Sequence, residues 1–313
     1  MTQWERFYRQ FKNQVRNWLD SMKSEPKQDK PNIKMCPSCG NFVNAKDRHC
    51  GYCDAVFETA IAQGNPREKA SSQTEPLNPT FAIFGICAFV YVVSIILTSK
   101  FPDYDPMSNL WSPALYVLHI MGSNSAELTL FRLELWRLGT YMFLHGGLLH
   151  IAMNLMALAS LGSMTYHNFQ SRRFWLISLI CGVAGGVLSS LSIFLMVTPS
   201  ASVGFSGALF GYLGANWVYF YRHGYFEMAD RFKNFMIWAN VICILISFLT
   251  PMNIDNFAHI GGMLAGMALG RLFTSTDQPR HGEWVERALL VMLVGFIGYG
   301  QWRVIQAIHH FLN

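Results

Sequence analysis

The sequence predicts an all-α polytopic membrane protein with a small polar module at its N-terminal end. Three observations carry that expectation. Of the 313 residues 51% are hydrophobic and only 14% are charged, whereas soluble domains carry about a quarter of their residues as charges. From residue 80 onward, apolar runs of near-bilayer length alternate with short polar breaks. Residues 1–79 are polar and hold four cysteines in two Cys-x₂-Cys pairs. The net charge of +5 needs no nucleic-acid partner, because basic loops on the cytoplasmic side produce it.

Residues 1–30 read as a basic amphipathic helix. Trp4, Phe7, Phe11, Val15, Trp18, Leu19 and Met22 share one stripe, and Arg6, Arg9, Lys12 and Arg16 lie opposite. That pattern fits a helix on an anionic membrane surface, or one packed on a neighbouring module. The segment has no uninterrupted apolar run of the kind a secretory signal needs. Residues 34–57 follow, with Cys36, Cys39, Cys50 and Cys53. Two such knuckles predict one structural Zn²⁺ per chain, held by four thiolates in a closed zinc ribbon without a catalytic position. A cytosolic partner or a homodimer contact suits so small a module. Residues 58–79, with Gln, Ser, Pro and Lys, read as a flexible linker.

Seven spans are expected, at about 80–99, 147–167, 174–196, 206–221, 235–250, 257–272 and 285–308. With residue 1 in the cytoplasm, the inner side holds Arg172, Arg173, Arg222, Arg231, Lys233, Arg271, Arg280 and Arg287. The outer side holds Lys100, Arg132, Arg137 and Arg303. The excess of inner charge puts the N-terminus inside and the C-terminus outside. The first outer loop contains "LWSPALYVLHIMG" and "LTLFRLELWRLGTYMFLH", too interrupted to span. Short helices lying in the outer interface are the expectation.

Spans two, four and six enter from outside and carry polar residues near their starts. These are His145, His150 and Asn154 on the second, Ser206 on the fourth and His259 on the sixth. At 1.5 Å per residue, Ser206 lies roughly 24 Å above Arg222, His259 roughly 18 Å above Arg271 and Asn154 roughly 20 Å above His167. Three helices thus bring polar groups to one depth, where they are costly unless they face the bundle interior. One reading is hydrogen bonding that glues helices. The other is chemistry: an imidazole takes a hydroxyl proton as the serine attacks. His150, Asn154 and the Ser206 N–H can offer donors to an oxyanion.

Ala258, Gly262, Gly266 and Gly270 on span six recur at intervals of four, as do Gly207, Gly211 and Ala215 on span four. Small residues at that spacing let two backbones approach and set Ser206 beside His259. Gly204 and Gly207 relax the backbone around the serine. The preceding "VTPSASVG" predicts an irregular entry loop lining a wet cavity. Asp255, four residues before His259, reads as a loop or cap residue.

The sequence resembles the rhomboid family of intramembrane serine proteases over about residues 80–273. The resemblance rests on "ELWR" at 134–137, "HGGLLHIAMN" at 145–154, "GFSG" at 204–207 and "AHIGGMLAG" at 258–266. It implies a six-helix rhomboid bundle, leaving the span within 284–309 as one additional C-terminal transmembrane helix. It implies Ser206 as nucleophile and His259 as base, with His150, Asn154 and the Ser206 N–H as the oxyanion site. Trp136 and Arg137 correspond to the family's structural motif in the first outer loop, and His145 is expected to tie that loop to span two. Phe210 stands where some members have tyrosine, and its ring can stack on His259. The implied substrates are single-span membrane proteins in the lipid bilayer, cut near the outer face. A ribbon fused to such a core suggests a bacterial inner (plasma) membrane. The alternative is a catalytically silent relative that binds membrane-protein clients. Such relatives lose the serine or histidine, and this chain keeps both. A transporter would need buried acidic or basic residues along a pathway, and the spans contain almost none.

Overall fold

The computed structural model describes residues 33–35, 42–44, 78–101, 104–107, 110–195, 201–250, 254–274 and 282–312. The chain divides into two units, Met1–Gln73 and Thr74–Asn313. In the first, strands β1 (Ile33–Met35) and β2 (Phe42–Asn44) pair antiparallel, with Ile33 opposite Asn44 and Met35 opposite Phe42. The expected helix at 1–30, the four cysteines of the ribbon and the linker up to residue 77 lie outside the described residues, and Asn78 and Pro79, assigned to the linker, instead open a helix.

The second unit is helical. Helix α1 (Pro79–Thr98) starts where Asn78 accepts a bond from the Thr80 N–H, with Pro79 next, a combination suited to a first turn. It buries Ile83, Cys87, Tyr91 and Ser94 along one face, at the three-to-four spacing of a helix. The first expected span falls on it. The next two fall on one helical path. Helix α4 (Leu148–Ala157) passes through a π-turn (Leu158–Gly162) into α5 (Ser163–Leu191). The loop expected at residues 168–173 is instead a break at one residue, Gln170, with φ 63° and ψ 170°. Helices α6 (Ser206–Arg222), α7 (Phe226–Leu249), α8 (Asn256–Phe273) and α9 (Gly282–Leu312) take the remaining spans.

Among the described residues, Pro79–Thr98, Leu148–Leu195, Phe226–Leu249 and Gly282–Leu312 are long and apolar enough to cross a membrane. Helix α6 is shorter and less apolar, and its position accounts for that: every residue from Gly207 to Asn216 is buried. A helix wrapped by protein is not required to present a lipid-compatible surface.

Packing at the centre is set by missing side chains. A methyl group on Gly262 would come 1.9 Å from the Gly207 carbonyl oxygen, and one on Gly266 would come 2.0 Å from that of Gly211. Helix α5 closes in from the other side. A methyl on Gly211 would meet Cys181 at 2.4 Å, and one on Gly185 would meet the Ala258 oxygen at 2.7 Å. The paired small-residue stripes of spans four and six were legible in advance. The third stripe, Cys181, Gly182, Gly185 and Gly186 on α5, was not drawn from the sequence. Its signal, "CGVAGG", was nevertheless there. Lipid tails are as apolar as leucine, so close backbone contact and interhelical hydrogen bonds hold such a bundle together. The bonds include Asn216 Nδ2 to Thr165 Oγ1 at 2.8 Å, Asn168 Nδ2 to Asn216 Oδ1 at 2.7 Å and the Ser178–Tyr212 hydroxyl pair at 2.6 Å.

Helix α9 is attached at both ends. Near its start, buried Glu286 accepts from Arg172 Nε at 2.6 Å and Arg173 Nε at 3.0 Å. Arg173 also donates to the Phe273 carbonyl at 3.0 Å. Near its end, Gly300 lies against Trp136 and Thr140, and the Arg303 guanidinium sits 5.8 Å from the Trp136 ring.

Candidate active site

The first outer loop is built of short pieces: α2 (Leu115–Ile120), a π-turn at Glu127–Phe131, α3 (Arg137–Thr140) and a 3-10 turn at Tyr141–Phe143. Interfacial helices were expected throughout. The second half departs from this, because Trp136, Tyr141, Met142, Phe143 and Leu144 are buried in the bundle. The buried Tyr141 hydroxyl donates to the Gly182 carbonyl at 2.7 Å. Arg137 organises the rest. Its Nε meets Glu134 Oε2 at 2.6 Å, and its Nη1 donates to the carbonyls of His119 and Ser123 at 2.7 and 3.1 Å. Its guanidinium lies 4.5 Å from the Trp136 ring. One cation thus closes the turn at residues 119–123, a role a planar five-donor fork can fill and an ammonium cannot. Burial and the Arg137 charge hold the His119 imidazole below its ordinary pKa, with Glu127 opposing.

The segment leading to Ser206 is irregular, as expected, but its described part is satisfied by protein. Asn124 and Ser202 exchange both backbone hydrogen bonds, at 3.0 and 2.7 Å, and the Gly204 N–H donates to the Tyr141 carbonyl at 3.1 Å. Asn124 is itself anchored. Its amide donates to the Gly186 carbonyl at 3.0 Å, and its oxygen accepts from Thr129 and Ser190 at 2.7 and 2.8 Å. Irregular backbone within a bundle is tolerated where protein buries it, so these residues do not depend on a wet cavity. The sequence reading passed over Asn124 and Tyr141. They lie far from Ser206 in the chain and match no periodic pattern.

Ser206 is the first residue of α6. Its own N–H and the next two lack a carbonyl four residues back within the helix, so the positive end of the helix faces this point. Gly204 has φ +119°, a region that favours glycine. A methyl group there would lie 2.8 Å from His150 Nε2 and 3.8 Å from Ser206 Oγ. The bare Cα therefore leaves open the space those two atoms face.

His259 Nε2 is 2.9 Å from Ser206 Oγ. The His259 ring is buried and lies flat on Phe210, with centroids 4.1 Å apart and planes at 12°. That stacking fixes the ring plane without any hydroxyl at position 210. His259 Nδ1 has no partner among the described residues. Asp255 is engaged elsewhere: it caps α8 by accepting from the Ala258 N–H at 2.9 Å and accepts from the Ser189 hydroxyl. The serine and imidazole therefore pair without a carboxylate behind the ring.

His150 lies in the first turn of α4. The Gly146 N–H donates to its Nδ1 at 3.3 Å, which makes Nδ1 the acceptor and leaves Nε2 as the donor nitrogen. Asn154 is buried and gives Nδ2 to the His150 carbonyl at 2.9 Å, leaving its second amide hydrogen free. His145 is fully buried and meets His150 edge-on at 5.2 Å. Its ring nitrogens have no hydrogen-bond partner among the described residues. It joins the loop to α4 by packing. Gly207 lies at the α6–α8 contact described above. His150 and Ser206 thus flank Gly204, His259 meets Ser206 and Phe210, and Asn154 follows His150 by one turn of α4, while Trp136 and Arg137 stand in the loop.

The chain is similar to known rhomboid proteins. The Rhomboid domain matches residues 132–276. RHOMBOID-like protein 1 of Arabidopsis thaliana is 32% identical over 196 residues, which is 59% of this chain and 46% of the plant protein. RHOMBOID-like protein 6, mitochondrial, from the same plant is 37% identical over 49% of this chain and 47% of its own length. Rhomboid protease GluP of Bacillus subtilis (strain 168) is 36% identical over 178 residues, 53% of this chain and 32% of that protein. The chain spans about half the length of the plant relatives it matches and a third of GluP. The match of residues 132–276 to the Rhomboid domain, with four helices long and apolar enough to cross a membrane among the described residues, supports a multi-pass membrane protein similar to the rhomboid proteins.

Proposed function

We propose that this chain is an intramembrane serine endopeptidase that cleaves single-span membrane proteins near the outer face of the bilayer. The observation that carries the proposal is the 2.9 Å hydrogen bond between Ser206 Oγ and His259 Nε2. Attack by Oγ on a scissile carbonyl carbon sends the hydroxyl proton to His259 Nε2. The imidazolium then gives that proton to the leaving amine as the C–N bond breaks, forming an acyl ester on Ser206. A water attacks the ester, its proton passes to His259, and Oγ regains it as the acid product leaves. The oxyanion of each tetrahedral intermediate is met by the Ser206 N–H, by His150 Nε2–H and by the free hydrogen of Asn154. Such fixed donors typically contribute about 10²–10³ in turnover each.

In this proposal six spans form the catalytic bundle, namely α1, the two parts of the α4–α5 path on either side of Gln170, α6, α7 and α8, and α9 is the added seventh span. The membrane is the inner (plasma) membrane of a bacterium, with the N-terminus inside. Cys36, Cys39, Cys50 and Cys53 hold one structural Zn²⁺. The antiparallel pair β1–β2, which flanks the first cysteine knuckle, supports a ribbon there, and four thiolates close the site against catalysis. The ribbon serves a cytosolic partner or a second copy of the chain.

The test is fluorophosphonate labelling of the full chain in detergent, together with cleavage of a model single-span substrate. Labelling and cleavage should both vanish in Ser206→Ala and in His259→Ala, with the thermal unfolding profile retained. Cleavage by purified Ser206→Ala would overturn the proposal. Absence of cleavage and of labelling in the intact chain would favour a client-binding relative.

A further inference from the structure

At the end of the bundle remote from Ser206, α6 and α8 flank an open cavity of about 580 Å³ lined by Trp217, Val218, Tyr221, Arg222, Met267, Ala268 and Arg271. Its volume lies in the usual range for small-ligand sites, about 300–1,000 Å³. The lining is graded. Trp217, Val218, Met267 and Ala268 make an apolar wall, with Tyr221 one turn beyond Trp217 on α6. The two guanidiniums stand at the helix ends, one on the last residue of α6 and one in the last turn of α8. No ion pair to Arg222 or Arg271 is formed among the described residues. Both arginines, Tyr221 and Ala268 are exposed, so the cavity opens on the outside of the bundle. Ser206 lies sixteen residues back along α6, about 24 Å away, so this cavity is no part of the candidate active site.

We infer that this cavity is a binding site for an anionic glycerophospholipid. An acyl chain lies along the Trp217–Met267 wall, and the phosphate is held by Arg222 and Arg271. The occupant follows from the lining. A free phosphate would leave the apolar wall bare, and a hydrophobic helix would leave two unpaired guanidiniums against hydrocarbon. A molecule with an apolar tail and one phosphate satisfies both parts. Arginine suits the second, because its planar fork binds phosphate oxygens in pairs. Both arginines also terminate helices, where positive charge is favoured by the helix dipole and where interfacial tyrosine is at home.

The experiment is native mass spectrometry of the full chain in detergent with equal phosphatidylglycerol and phosphatidylcholine. Wild-type protein should retain phosphatidylglycerol preferentially. Each of Arg222→Gln and Arg271→Gln should weaken retention about fivefold, the worth of one basic charge at an anionic surface. The pair Arg231→Gln with Lys233→Gln, at the start of α7, removes two charges, more than either single variant, and should leave retention unchanged. Ala268→Trp fills the cavity at constant charge and should abolish retention even if an arginine variant folds poorly. Glycerol phosphate alone should not compete. Undiminished retention in Ala268→Trp, an equal loss in the Arg231/Lys233 variant, or equal retention of the two lipids would overturn the assignment. Displacement by glycerol phosphate would replace the lipid with a soluble phosphate ligand.

Discussion

Gly266→Ala should loosen the bundle and disconnect the serine from its histidine, although alanine is the better helix former. Two effects oppose each other. In a helix interior alanine is favoured over glycine by about 1 kcal/mol. Against that, the added methyl would sit 2.0 Å from the Gly211 carbonyl oxygen, and real contacts of this kind stay beyond 3.0 Å. The obstacle is backbone, not a side chain that can swing away. Helices α6 and α8 must therefore part by about 1 Å at that level. Overpacking of this kind costs about 1–3 kcal/mol, so the net effect is destabilising by up to about 2 kcal/mol. Gly266 lies seven residues beyond His259, about 10 Å along the axis. A parting of 1 Å carried to the serine would stretch the 2.9 Å Ser206–His259 contact past hydrogen-bonding distance. Fluorophosphonate labelling should fall at least tenfold, and thermal unfolding should shift down. The control is Gly295→Ala on α9, where nothing lies within 4 Å. It should be neutral or slightly stabilising and label normally. Normal labelling and unfolding of Gly266→Ala would refute the claim that backbone contact between α6 and α8 sets the site.

Asn154→Ala should lower substrate turnover about 10²–10³-fold with little change in KM. A loss of thermal stability with turnover intact would make it a helix-packing residue instead. Asp255→Ala removes the α8 cap and the Ser189 contact, so it should cost about 1 kcal/mol in unfolding measurements, with Asp255→Asn recovering most of it. Glu286→Ala leaves Arg172 and Arg173 without their shared carboxylate. At a site only partly open to solvent this should cost about 1–3 kcal/mol, seen as earlier proteolysis of α9 with fluorophosphonate labelling preserved. The full chain should carry about one zinc per molecule, lost in Cys36→Ser with Cys39→Ser. A chain starting at Leu77 should still cut its substrate in detergent, and failure of that folded chain would mean the polar module acts on the site.

The sequence alone determined the class of the protein and the residues worth watching. Apolar runs of bilayer length and a four-residue repeat of small side chains are local, periodic signals. They marked the helices, and they marked the faces on which Gly207, Gly211, Gly262 and Gly266 meet. Ser206, His150, Asn154 and His259 stood out because polar groups inside hydrocarbon are costly enough to require a reason. Only the tertiary structure decided how these groups are aimed. That His150 presents Nε2 depends on a bond from Gly146, and the His259 ring plane depends on Phe210 from another helix. The entry to Ser206 is held by Asn124 and Tyr141, whose partners lie up to 78 residues away along the chain. Such contacts have no period and leave no mark on neighbouring residues. The physical reason is that a helix repeats its own geometry every few residues, whereas a hydrogen bond between distant segments exists only once the bundle has closed around it.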